Sequence, residues 1–363
     1  MRIAQIVPLQ VAVPPHGYGG TERVVYELTE ALVQLGHEVT LFATGDSQTS
    51  AQLVPIVEQA INFDPNVDAT AHHVALLDEV FDHADRFDII HSHLDYLTLP
   101  FAHRTLTPTV VTLHGHLTEP DAQRVYMRYR KANYVSISDA QRAGLPGLHY
   151  VATIHHGVDV DRFPFTAEPG KYLAFVGRMS PEKRPDLAIE VAKRAGIPLK
   201  IAAKVDHKEA PYFREVIQPL LDHPLIEWLG QLDEQEKRNL MVHALALLLP
   251  IDWPEPFGMV FIESLACGTP VLTCPSGSVS ELLEDGVTGY IRADSDALVA
   301  AARDIHRISR RGCRAYAKRR FDTHLMVSKY LNVYRQLLGY EQWRPPWAEW
   351  PEADYDNTGP AYN

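Results

Sequence analysis

Leu249 to Val271 reads Leu-Pro-Ile-Asp-Trp-Pro-Glu-Pro-Phe-Gly-Met-Val-Phe-Ile-Glu-Ser-Leu-Ala-Cys-Gly-Thr-Pro-Val. The apolar run before it (Leu245, Leu247, Leu248, Leu249) predicts a buried parallel strand. A Pro-rich turn follows. A short helix is then expected from about Gly258 to Cys267, ended by Gly268 with Pro270 just beyond. Val271-Leu272-Thr273 reads as the next strand. In such a strand–loop–helix–strand unit of an open α/β sheet, ligands sit at the carboxyl ends of the strands.

Two carboxylates flank that turn, Glu255 in the loop and Glu263 in the helix. Between them the helix start at Phe257-Gly258-Met259 offers free backbone N–H groups, which suit an anion such as phosphate. A carboxylate is repelled by phosphate but accepts well from hydroxyl groups. A diphosphate with a sugar at one end and a ribose at the other satisfies all three features, and that ligand is a sugar nucleotide. The plainer alternative is a solvated loop carboxylate and a glutamate at a helix end.

The spacing Glu255-x7-Glu263, with Phe257-Gly258 and Ala266-Cys267-Gly268-Thr269-Pro270-Val271 around it, resembles the signature of the retaining glycosyltransferases of family 4. The resemblance implies the GT-B fold: α/β, with two Rossmann-like doubly wound domains facing a central cleft and a carboxyl-terminal helix crossing back to the first. On this chain it implies an amino-terminal acceptor domain over residues 1–165, completed by a helix at 325–340. It implies a donor domain over 166–324 and a tail over 341–363.

Bulk properties agree with a soluble globular chain. At 363 residues it is long enough for two domains, with 46% hydrophobic and 22% charged residues. Cys267, Cys274 and Cys313 form no pairing pattern, which argues for reducing cytoplasm. Met1–Pro8 reads as a first strand rather than a signal segment, and no stretch approaches a membrane span. A formal net charge of −12 disfavours nucleic acid. Residues 1–165 carry 10 Lys and Arg against 19 Asp and Glu, which argues against docking on anionic membranes.

Ile3 to Val7 is the first strand, and a long loop leads to Gly19-Gly20 and an amphipathic helix whose Val24, Val25, Leu28, Ala31, Leu32 and Leu35 share a face. Gly17, Gly19 and Gly20 lack the G-x-G-x-x-G spacing, which argues against a nicotinamide or flavin role. By resemblance Gly19 and Gly20 approach the donor phosphates; the plain alternative is a helix-entry turn. Strands ending near His91, His114 and Ser138 feed the same cleft, and Ser138 or Asp139 caps the next helix. By resemblance His114 contacts the donor sugar. His91-x-His93 and His114-x-His116 also permit a zinc reading, but no recognised ligand spacing joins them, and the expectation is no metal and no cofactor. His156-Gly157-Val158-Asp159 resembles the family's inter-domain segment, where asparagine usually stands in place of His156.

Pro164 and Pro169-Gly170 mark the boundary. Tyr172–Gly177 is then a strand, followed by the cationic loop Arg178–Pro185 and a helix from Asp186 to Ala195. By resemblance Arg178 and Lys183 clamp the diphosphate, with Arg184 where glycine often stands. Lys204 at the end of the next strand is a further candidate ligand, and Gln231 and Leu232 match the base-binding turn. A helix is expected from Met326 to Leu338.

The implied activity is transfer of a sugar, with retention, from a nucleotide donor to a hydroxyl. UDP-glucose or a similar UDP-sugar is favoured over GDP-mannose, and the acceptor is a small molecule or glycan. Two other readings stay open: a sugar-nucleotide 2-epimerase of the same fold, and a non-catalytic nucleotide-sugar sensor. The chain leaves the oligomeric state open.

Overall fold

The computed structural model describes residues 1–17 and 19–340; the tail expected at 341–363 lies outside the described residues. Two sheets carry the fold. The first holds β1 (Arg2–Ile6), β2 (Glu38–Thr44), β3 (Gln52–Val57), β4 (Ile89–Ser92), β5 (Thr109–Thr112), β6 (Asn133–Ser136) and β7 (Tyr150–Thr153), in the order β3-β2-β1-β4-β5-β6-β7. The second holds β8 (Leu173–Arg178), β9 (Leu199–Lys204), β10 (Ile226–Gly230), β11 (Ala246–Leu249), β12 (Val271–Thr273) and β13 (Gly289–Ile291), in the order β10-β9-β8-β11-β12-β13. The strand pairs are parallel, with Ile3 opposite both Val39 and Ile89, and Arg178 opposite Lys204.

Both sheets repeat one doubly wound order, in which the first and fourth strands sit side by side while their connections leave toward opposite faces. The crevice at that switch point is where α/β sheets take ligands. In the first sheet it lies between β1 and β4, so the loop to Gly19 and the turn at His93 open there. In the second it lies between β8 and β11, which brings the Arg178–Lys183 loop and the Leu249–Gly258 loop together. The two strand-end loops named in the sequence as cationic and acidic are neighbours for this topological reason.

The central strand β11 is apolar and buried along its whole length, as a parallel strand covered on both faces should be. The Met259–Ala266 helix is one residue shorter at each end than expected. Gly258 stands before it at φ 87, and a Cβ there would sit 2.7 Å from the Phe261 ring, so this entry requires glycine. The last two helices among the described residues are Arg310–Phe321, for which the sequence raises no expectation, and Thr323–Leu337. The second packs on the first sheet: Tyr330, Leu331 and Tyr334 are fully buried against Ile3, Val24, Leu28 and Ile89. The Tyr334 hydroxyl meets Gln5 at 3.3 Å and His91 at 2.7 Å.

Candidate active site

A cleft of about 410 Å³ lies where the carboxyl ends of the two sheets face each other. All thirteen candidate residues line it. Gly19, Gly20 and His114 come from the first-sheet side. Arg178, Lys183 and Lys204 come from the ends of β8 and β9, and Gln231 and Leu232 from the turn after β10. Glu255, Phe257, Gly258, Met259 and Glu263 come from the segment after β11.

Lys183 and Glu255 are the closest charged pair in the cleft, joined through the ammonium and Oε2. The same Oε2 accepts from the Trp253 indole N–H at 2.9 Å, while the Lys183 ammonium lies 4.8 Å from the centre of the Trp253 ring. Glu255 is therefore oriented by two donors on one oxygen. Its other oxygen has no partner among the described residues, and that is the one free to accept from a ligand hydroxyl. Glu263, 3% exposed, accepts from Lys237 Nζ at 2.9 Å. Lys237 also reaches Glu234 at 2.9 Å, and Glu234 takes Arg23 from the facing helix at the same distance. That chain of charges crosses the cleft and was missed in the sequence. Only the position of Lys237 in the first turn of a well-capped helix hinted at it.

Arg178 donates to Glu182 at 2.8 Å, yet its Nε is buried without a partner. A buried unpaired N–H is costly, and one at a ligand cleft is a donor in waiting. Lys204 stands beside Arg178 in register and pairs with Asp206 at 2.7 Å. Trp253 further packs on His116, their ring centres 4.2 Å apart.

His114 is the cleft end of a hydrogen-bonded column. Its Nε2 lies 2.8 Å from His93 Nδ1, and His93 Nε2 lies 3.1 Å from Gln5 Oε1. Gln5 in turn meets Tyr334, and Tyr334 meets His91. Burial pushes the His114 and His91 imidazoles down to about 3 and holds His93 well below the usual histidine range, so the column is neutral at physiological pH. His156, which stands where the family usually has asparagine, stacks on His114 at 5.2 Å and meets Phe257 edge-on at 4.8 Å. Its Nδ1 has no hydrogen-bond partner. Among the described residues no group of three or more His, Cys, Asp or Glu side chains has metal-holding geometry, and both nitrogens of His91 and of His93 are engaged within the column.

The two walls are tied outside the cleft. Ser138, which caps the Asp139–Ala143 helix, donates to the Pro256 carbonyl at 2.6 Å. Glu281 accepts from the Asp139 and Ala140 N–H groups, each at 2.8 Å, and lies 3.0 Å from His155 Nε2. Phe257, Gly258 and the Glu255 loop are thereby set against the first sheet. Among the described residues no helix is long and apolar enough to cross a membrane.

Two facing, doubly wound sheets with a charged cleft between their carboxyl edges define the GT-B fold. The model for "Glycosyl transferases group 1" matches residues 159–320, and that for "Glycosyltransferase Family 4" matches residues 18–162. The chain belongs to glycosyltransferase family 4. It is 28% identical, over an alignment 389 positions long with gaps, to a phosphatidyl-myo-inositol mannosyltransferase of Mycobacterium tuberculosis, covering 93% of this chain and 98% of the relative. Among solved structures it resembles AviGT4, a glycosyltransferase involved in avilamycin A biosynthesis, with a TM-score of 0.73, 24% identity, and 94% and 99% of the two chains covered. It also resembles HepE of Anabaena, solved in complex with UDP and glucose, with a TM-score of 0.74, 18% identity, and 93% and 100% covered.

Proposed function

We propose that this enzyme moves a sugar from a nucleoside diphosphate to a hydroxyl acceptor with retention at the anomeric carbon, using a UDP-sugar such as UDP-glucose in preference to GDP-mannose. The observation that carries this is the convergence of Glu255, Glu263, Arg178 and Lys183 on one cleft around the start of the Met259–Ala266 helix. Arg178 and Lys183 stabilise the departing diphosphate, and the first backbone N–H groups of the helix add to the positive field. Glu255 and the Phe257–Met259 backbone hold the sugar, Glu263 the ribose, and Gln231 and Leu232 the base. His114, neutral, contacts the sugar from the opposite wall by hydrogen bonding rather than by charge. Glu255 is given no nucleophilic role: Lys183 and Trp253 hold one of its oxygens, and the other accepts from the sugar. The cations and the helix start take the part a metal would have, so the reaction is metal-independent.

The test is thermal shift against UDP, GDP, ADP and TDP sugars with a chelator present. Ligand at about 100 times its dissociation constant stabilises the fold by roughly 2.7 kcal/mol. One base and sugar should stand out, and Glu263→Ala should abolish that shift. A panel with no shift overturns the sugar-nucleotide reading.

The acceptor enters from the first-sheet side, and the acidity of residues 1–165 favours a soluble or cationic acceptor over a lipid at an anionic surface. No co-sedimentation with anionic liposomes is expected at physiological salt, and clear binding there would overturn the assignment.

A further inference from the structure

Five carboxyl groups line the cleft, and four have an evident occupation. Glu255 is joined to Lys183 and Glu263 to Lys237, while Glu234 gathers Arg23, Lys237 and Arg238. Asp233 caps the helix that follows it, accepting from the Glu236 N–H at 2.8 Å. The fifth is Glu22, in the first turn of the Gly20–Gln34 helix, 6% exposed and paired with no cation among the described residues. Its neighbour Arg23 is turned to Glu234, and Lys204 across the cleft is held by Asp206. A Cβ added to Gly19 would lie 3.1 Å from Glu22 Oε2 and 2.7 Å from the Pro15 Cβ, so this carboxyl sits directly against the glycine pair.

We propose that Glu22 binds the donor diphosphate as a neutral carboxylic acid, donating its O–H to a non-bridging phosphate oxygen, so that donor binding takes up one proton from solvent. The proposal rests on the nucleotide-sugar reading and adds to it the protonation state of the bound complex. An ionised carboxylate beside Gly19 and Gly20 would repel the phosphates that those glycines leave room for. A protonated one supplies a donor in place of that repulsion. Burial already pushes the Glu22 carboxyl up to about 7, opposed only by its own backbone N–H, and the negative charge of the phosphate oxygen it donates to carries it well above about 8 in the complex. The other charged and titratable groups sharing the cleft are Arg23, Arg178, Lys183 with Glu255, Lys204 of β9, Asp233, Lys237 with Glu234 and Glu263, and the neutral His114 and His156. Each of these carboxylates has its own cation or, for Asp233, a helix N–H, and the two imidazoles are held below the usual histidine range, so Glu22 is the group poised to change near neutrality.

Calorimetric titration in buffers of different ionisation heat measures the proton count directly. The probe is the intact nucleotide sugar that gives the largest thermal shift in the panel. Its diphosphate is esterified at both ends and lacks the monoester ionisation near 6, so protons taken up belong to the protein. Uptake should be close to one proton at about pH 8 and near zero at about pH 5.5, with affinity falling toward tenfold per pH unit above about 7. Glu22→Gln, a neutral isostere, should bind at the wild-type low-pH affinity, with a flat profile and no uptake. Wild-type protein that binds donor without taking up a proton at about pH 8 overturns the role of Glu22 while leaving the donor assignment standing, whatever the variant does. Unchanged uptake in Glu22→Gln, or loss of its binding at low pH with the fold intact, overturns it as well. No binding of any nucleotide sugar at any pH overturns both this role and the proposed function.

Discussion

Lys183→Ala is expected to lower kcat by about 10²–10³-fold, the usual cost of removing one group aimed at developing charge in a water-poor site. Lys183 has two tasks in the structure. Its side chain lines the cleft, and it anchors the carboxylate of Glu255 alongside the Trp253 indole. Removing it takes a cation from the departing diphosphate and frees the carboxylate that positions the sugar. Both losses bear on the transition state more than on ground-state affinity, so KM for the donor should move far less than kcat. Arg178→Ala should show a similar loss, because Arg178 lines the same cleft and its buried Nε has no partner there. The double variant should fall short of the product of the two single losses, since the two cations act on one leaving group. Steady-state kinetics with the donor selected by thermal shift checks this. A Lys183→Ala enzyme that is folded and keeps more than about a tenth of wild-type kcat would overturn the assignment of the clamp.

The second large effect is on stability and lies away from the cleft. Arg310→Met should destabilise the fold by at least about 3 kcal/mol, reckoned from three carbonyls that lose a buried donor at roughly 1–3 kcal/mol each. Arg310 is 6% exposed and makes four bonds: Nε to Thr166 O at 2.9 Å, Nη1 to Ala244 O at 2.8 Å, and Nη2 to Val242 O at 2.7 Å and Thr269 Oγ1 at 2.8 Å. These fasten the Arg310–Phe321 helix to the segment entering β8, the end of the Glu234–Val242 helix and the turn before β12. Burial draws the guanidinium below its ordinary value, but it stays charged, and among the described residues no carboxylate balances it. Urea unfolding gives the answer through the midpoint at unchanged slope. A shift worth under about 1 kcal/mol would mean that relaxed backbone or water replaces the guanidinium readily.

The parts of the site legible in the sequence were those encoded within one strand–loop–helix unit. Glu255 and Glu263 are eight residues apart, and their arrival in one cleft follows from local chain geometry and from the rule placing ligands at strand ends. Arg178 and Lys183 were readable for the same reason. What could not be read came from contacts between distant segments. Gln5 and Tyr334 meet across 329 residues, and Arg23 finds Glu234 from the opposite wall. Periodicity reports which face of a helix is buried but not what it is buried against. In the sequence Glu22 is an acidic residue in a first helical turn, a type that a helix dipole favours. That it pairs with no cation among the described residues emerges only once the partners of its neighbours are known. The start of the last helix was placed at Met326 rather than Thr323 because Asp322 was not recognised as its cap, although its side chain accepts from the His324 N–H.

The packing of Tyr330 and Tyr334 into the first sheet constrains the order in which this protein can be completed during synthesis. Ile3, Val24, Leu28 and Ile89 are made early, but the side chains that cover them are the last of the described helices to leave the ribosome. Until then the sheet carries an open apolar seam, and the hydrogen bonds of Gln5 and His91 to the Tyr334 hydroxyl are unmade. The histidine column that ends at His114 is therefore finished only when the second half of the chain has been built and has returned. A fragment cut at residue 165 would lack that covering helix, so the first sheet is a poor candidate for isolation as a working half.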